Sequence, residues 1–149
     1  MTENPADPPV LLVEDNPDDA ELTLRALRNG KLGNPVVRAL DGEEALALLH
    51  GAPGLPPLHP APAIVLLDLH LPKVDGLEVL RAIRSNDSTR ELPVVVLTSS
   101  LAEAHVVEAE SLGILAYLNK PVDVSALAKA VAPMRLGLII RRSDVDESG

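Results

Sequence analysis

Val10-Leu11-Leu12-Val13, followed at once by Glu14-Asp15-Asn16-Pro17-Asp18-Asp19, decides the fold. The first four residues are apolar without alternation. A strand with both faces apolar belongs inside a parallel sheet covered on both sides, not in an antiparallel sheet with one wet face. The acidic stretch after it reads as a helix start. Asn16 stands at the N-cap, Pro17 at the first helical position, and Asp18 and Asp19 in the first turn, where the helix dipole favours negative charge.

The same grammar recurs along the chain. Further apolar runs lie at Val36–Leu40 (the weakest), Ile64–Leu67, Val94–Leu97 and Ala116–Leu118. Helices fill the intervals. Ala20, Leu24 and Leu27 form a stripe at helical spacing. Asp41-Gly42-Glu43-Glu44 and Asp75-Gly76-Leu77-Glu78 have the capping-box pattern of the second and third helices. Ser100 to Glu103 opens a fourth, with Gly113 as its stop. Asp123 caps a fifth, from about Val124 to Pro133. Alternation of this kind gives a (βα)₅ α/β fold, a doubly wound parallel sheet with right-handed crossovers. Periodicity does not order the strands; the flavodoxin-like order 2-1-3-4-5 is a common solution for five and is the one expected here. The domain is expected over residues 9–135. A polar, Pro-rich tail (1–8) precedes it, and an extension (136–149) that starts apolar and ends charged follows it. Residues 52–63, with five prolines, read as a stiff surface loop; docking of a partner is the other reading of such a segment.

Composition narrows the function. The chain has 149 residues and a net charge of −9, so nucleic acid is not an expected partner. It has no cysteine, no Phe, no Trp and one Tyr, which excludes thiol chemistry and base-stacking platforms. No apolar stretch approaches the roughly 20 residues that span a bilayer, and the N-terminus has no signal-peptide pattern; the default expectation is a cytoplasmic location.

Ligands of open parallel sheets bind outside the carboxyl ends of the strands. There the sequence places Glu14 and Asp15 after the first strand, Asp68 after the third, Thr98 and Ser99 after the fourth, and Lys120 followed by Pro121 after the fifth. Three carboxylates at one edge repel each other. A hard divalent cation resolves that conflict, and Mg²⁺ accepts carboxylates while keeping waters. Three carboxylates, Lys120 and Mg²⁺ sum to no net charge. Asp68 stands apart from the Glu14-Asp15 pair and ends the most apolar strand, so it is the candidate nucleophile, and carboxylates do form aspartyl phosphates. Lys120 and Thr98 can meet phosphoryl oxygens, in a chemistry that needs positioning and charge neutralisation. Taken singly, each of these residues has a bland reading: capping acids, a strand-end threonine, a solvated lysine. Their coincidence at four strand ends favours one site.

LLVEDNPDD, VLLDLHLPKVDGLEVL, PVVVLTSS and AYLNKP together resemble the receiver domain of bacterial two-component response regulators, over about residues 9–132. The resemblance implies Asp68 as phosphoacceptor, Asp15 as a direct Mg²⁺ ligand, Glu14 acting on the metal through water, and the backbone carbonyl of His70 as a further ligand. It implies phosphoryl contacts from Thr98 and Lys120, and a cis peptide at Lys120-Pro121, which proline makes accessible. Tyr117, three residues before Lys120, stands where the family has its rotameric switch aromatic; a packed core tyrosine is the alternative.

EDNPDDAELT, the long loop before the third strand, DLHLPKVDG and LTSS resemble, more narrowly, the stand-alone regulators that partner phytochrome-type histidine kinases. His70 departs from the Asn common there. This likeness implies a sensor histidine kinase as donor, output through protein contacts, and a homodimer through the fourth and fifth helices or the C-terminal arm. Leu136, Leu138, Ile139 and Ile140 would supply its apolar contact. The rivals are a receiver-like scaffold that is never phosphorylated, and a phosphatase of the haloacid-dehalogenase type. The latter needs an acid two residues beyond Asp68, where His70 stands. A cofactor-binding flavodoxin-like protein is disfavoured because Asn16-Pro17-Asp18-Asp19 would repel phosphate.

Overall fold

A computed structural model of the chain describes residues 7–71, 74–98, 111–120 and 122–131. Five strands, β1 (Val10–Val13), β2 (Val36–Ala39), β3 (Ile64–Asp68), β4 (Val94–Thr98) and β5 (Ala116–Asn119), alternate with helices α1 (Pro17–Asn29), α2 (Gly42–His50), α3 (Gly76–Ser85) and α4 (Val124–Val131). All strand pairings are parallel, in the order β2-β1-β3-β4-β5, so the expected strand order holds. The helix expected to open at Ser100, the Lys120-Pro121 peptide, the tail to residue 6 and the run Leu136, Leu138, Ile139, Ile140 lie outside the described residues. The helix here numbered α4 is the fifth of the sequence reading.

Strand periodicity sorts the core into two layers. Leu11, Val13, Val65, Leu67, Val94 and Val96 pack with Ala45 and Leu49 of α2 and Leu77, Leu80 and Ile83 of α3. Val10, Leu12, Ile64, Leu66, Val95 and Leu97 face the other way, toward Ala20 and Leu27 of α1 and Leu127 of α4. Every residue of β1, β3 and β4 is buried, whereas the edge strands β2 and β5 are only half-buried. Doubly covered strands must be apolar on both faces, which is why alternation is missing from their sequence.

The caps largely follow the sequence. Asn16 Oδ1 accepts from the backbone N–H of Asp18 at 2.9 Å and Asp19 at 3.0 Å. Asp41 Oδ1 accepts from Glu44 N–H at 2.8 Å, and Glu44 reaches back to accept from Leu40 N–H at 2.6 Å. Asp123 Oδ1 accepts from Ser125 N–H at 2.9 Å. Asp75 is the exception, since it makes no side-chain capping bond. What matters at this helix start is Gly76: a Cβ there would stand 2.5 Å from the Asp68 carbonyl oxygen and 2.5 Å from Leu69 Cα. The missing side chain lets α3 begin against the backbone that carries Asp68.

Two features fall outside the pattern reading. Arg84, at the end of α3, donates to the carbonyls of Leu92, Leu112, Arg90 and Gly113 at 2.7–3.1 Å. It ties α3 to the lead-ins of β4 and β5. The Pro-rich loop, expected to be stiff, is held by backbone bonds: Ala52 and Leu55 exchange a pair, and Leu58 N–H donates to Leu48 O. Together with His50, Thr89 and Leu92 it lines a cavity of about 390 Å³.

Candidate functional site

Register alone brings the acids together. Val13 pairs with Leu67, so the next residues, Glu14 and Asp68, are neighbours at the carboxyl edge. β4 and β5 continue the staircase, with Asp68 opposite Leu97 and Thr98 opposite Asn119; Lys120 follows, its N–H bonded to Thr98 O at 3.1 Å. Parity then divides the site. Glu14, Asp68 and Lys120 continue the series that faces α1, whereas Thr98 continues the Val94 and Val96 series. Tyr117 packs against the layer that holds Val94 and Val96, opposite Val96. Thr98 and Tyr117 therefore leave adjacent strands on the same side of the sheet.

Lys120 holds the centre. Its Nζ lies 2.7 Å from Glu14 Oε1, 2.8 Å from Asp68 Oδ2 and 3.1 Å from Asp19 Oδ2. Its side chain is only 10% exposed, so the bland reading of a solvated lysine is wrong. Burial works against its charge, but the carboxylates of Asp68, Glu14 and Asp19 outweigh burial and raise its pKa. Asp68 is buried, and its Oδ1 accepts from His70 N–H at 2.9 Å. Glu14 is fully buried. Its Oε2 accepts from Asn16 N–H at 3.2 Å, and its Oε1 has the Lys120 ion pair but no well-directed hydrogen bond. Burial, assisted by the Asp68 charge and partly offset by Lys120, pushes the Glu14 carboxyl up to about 7.

Oxygens of Glu14, Asp15 and Asp68 lie within 4.8 Å of one another. An all-carboxylate set, one member of which is buried with an under-bonded oxygen and ionises reluctantly, fits a hard divalent cation. Sequence reasoning missed two residues here. Asp19 was absorbed into the helix cap, yet it adds a fourth carboxylate to the charge count. Arg38 on β2 donates from Nε to Glu14 O at 3.0 Å and from Nη2 to Asp15 O at 3.3 Å. Carbonyl contacts of that kind leave no motif. Among the described residues, no helix is long and apolar enough to cross a membrane.

Known proteins share this fold. Response regulator Rcp1 of Synechocystis sp. is 38% identical over 122 residues, which is 82% of each chain. The crystal structure of its Mn(2+)-bound form gives a TM-score of 0.69 at 32% identity, over 91% of this chain and 99% of that one. The bacteriophytochrome response regulator AtBRR gives a TM-score of 0.76 at 47% identity, over 92% of this chain and 97% of that one. The phosphorylated cyanobacterial phytochrome response regulator RcpA gives 0.67 at 36%, over 87% and 91%. The sequence pattern of the response regulator receiver domain matches residues 10–132. With nearly its whole folded length matched and the strand order of that fold, this chain belongs to the response regulator receiver family, related to the regulators of phytochromes.

Proposed function

We propose that this chain is a phosphoacceptor in a two-component relay, in which Asp68 receives a phosphoryl group from the phosphohistidine of a sensor kinase of the phytochrome type. The observation that carries this reading is Lys120 Nζ, 2.8 Å from Asp68 Oδ2 in a buried acidic pocket. An Asp68 oxygen attacks phosphorus, the P–N bond breaks, and its electron pair leaves with the imidazole. The Lys120 ammonium then stands beside the new phosphoryl oxygens, and the Thr98 hydroxyl donates to another. Asp68, Asp15, Glu14 (through water) and the His70 carbonyl would hold Mg²⁺, which when bound supplies neutralisation of phosphoryl charge. Such proteins are generally signalling molecules rather than enzymes, which displaces the phosphatase reading.

Tyr117 serves in this proposal as the switch residue. Its place on the same side of the sheet as Thr98 supports that role, because a Thr98 drawn toward the phosphoryl group vacates space beside it. Output passes through protein contacts. The apolar run Leu136, Leu138, Ile139 and Ile140 suits a homodimer contact in the extension 136–149, beside a receiver domain of residues 9–135.

Incubation with acetyl phosphate and Mg²⁺, followed by intact-mass measurement, tests the central step. One added phosphoryl group, absent in Asp68→Asn and after chelation, is expected. A folded, Mg²⁺-binding protein that gains no mass overturns the proposal and leaves a receiver-fold scaffold.

A further inference from the structure

We infer that Asp19 is a positioning residue for Lys120, holding the ammonium at the rim so that Glu14 and Asp68 are free to take a divalent cation. The inference rests on the reading of the pocket as a Mg²⁺-dependent phosphoacceptor. Lys120 has three N–H donors, and three carboxylates surround it at 2.7, 2.8 and 3.1 Å. Two of these, Glu14 and Asp68, belong to the cluster that could hold a cation, and Asp19 does not. Ammonium and metal are therefore rivals for the same two carboxylates. A cation that wins them strips Lys120 of two partners while its side chain is 10% exposed, and a buried, unpaired charge is costly.

Asp19 removes that cost. It stands on the first turn of α1, its N–H held by Asn16 Oδ1 at 3.0 Å, and its side chain is 38% exposed. Lys120 keeps this third partner when it yields the other two. The pair is part-buried, with Asp19 partly in water, so its contribution to fold stability is modest. Its effect lies in the exchange, where the alternative is an ammonium left without a counter-charge.

Asp18 provides the control. It lies one residue away on the same turn and carries the same charge, but it is exposed and its carboxylate is not among the ion-pair partners of Lys120. Mg²⁺ affinity is measured by calorimetry for the wild type, Asp19→Asn, Asp18→Asn and Asp19→Glu, with phosphoryl uptake from acetyl phosphate read by mass on the same samples. Asp19→Asn is expected to weaken Mg²⁺ binding roughly fivefold, Asp18→Asn by less than about twofold, and Asp19→Glu to recover most of the loss. Equal losses for Asp19→Asn and Asp18→Asn would reduce the effect to general charge and overturn the inference. Tighter binding in Asp19→Asn would also overturn it, by showing Lys120 held at the rim to be a hindrance. A wild type that binds Mg²⁺ but takes up no phosphoryl group defeats the phosphoacceptor reading, while the affinity series still decides the role of Asp19.

Discussion

Arg38 Nε, on the edge strand β2, lies 3.0 Å from the carbonyl oxygen of Glu14, at the end of the neighbouring strand β1. A second bond, from Nη2 to the Asp15 carbonyl at 3.3 Å, fixes two successive peptide planes with one rigid guanidinium fork. Side chains that must meet a cation start from those planes. Arg38 thus shapes the acidic turn without touching either carboxylate. Arg38→Ala should lower stability by about 1 kcal/mol, because both carbonyls lose their donor at a sheet edge that water can reach. The rise in melting temperature on adding Mg²⁺ should shrink as well, even though a positive charge has been removed from the neighbourhood. Arg38→Lys should not restore it, since a lysine cannot span both carbonyls. Thermal melts with and without Mg²⁺ check both statements; an unchanged Mg²⁺ effect would confine Arg38 to fold stability.

The Glu14 carboxyl makes metal binding a proton-linked event. Its folded pKa of about 7 lies above the ordinary carboxyl value of 4.5. Between those values the folded metal-free protein holds a proton that the unfolded chain has lost. Glu14 therefore contributes stability at low pH that is lost as pH rises toward 7. A cation that needs the ionised carboxylate must expel that proton. Mg²⁺ binding near pH 6 should release most of one proton and weaken as pH falls below about 7. Calorimetry in buffers of different ionisation enthalpy measures the release, which Glu14→Gln should abolish.

Gly76→Ala should damage the fold more than an exchange of such small residues normally does. The added Cβ would meet the Asp68 carbonyl oxygen and Leu69 Cα at 2.5 Å, both backbone atoms, and neither can turn aside as a side chain tip could. Gly76 N–H also bonds Leu69 O at 3.1 Å, so α3 cannot back away without losing that bond. A loss of about 3 kcal/mol is expected by chemical denaturation. Phosphoryl uptake should fall in whatever folded fraction persists, because the strain lands on the backbone of Asp68 itself.

What was legible in the sequence follows from which interactions leave a residue-type signature. β1, β3 and β4 were readable because full burial on both faces forces unbroken apolar runs, and their edges were found within one residue. The acids and Lys120 were readable because strand ends in a parallel sheet converge, whatever their distance in sequence. Asp75 misled because its spacing to Glu78 matched a cap, while the local geometry is dictated by Gly76 pressing on Leu69. Arg38 and Arg84 were invisible because their partners are carbonyls, which every residue possesses. Asp19 was hidden by an adequate simpler role in the helix cap. The burial of Glu14 relative to its neighbour Asp15 had no sequence signal either; it arises from the pairing of Val13 with Leu67, which only the assembled sheet supplies.

Arg84 offers the sharpest test of stability remote from the pocket. Its guanidinium bonds Leu112 O and Leu92 O at 2.7 Å and Arg90 O and Gly113 O at 3.1 Å. Burial lowers its pKa, yet a guanidinium remains charged throughout the working range. Arg84→Ala leaves these carbonyls to find water in a half-buried crevice and unties α3 from the approaches to β4 and β5. A loss of about 2–3 kcal/mol is expected. Arg84→Lys should recover less than half of it, because an ammonium with three donors cannot reproduce a planar fork serving two separate segments. β5 ends at Lys120, so loosening its start should raise amide exchange along Ala116–Asn119 before global unfolding. Exchange that quickens only with global unfolding would show that pairing with β4 alone holds β5, and that Arg84 contributes nothing to the strand that delivers Lys120.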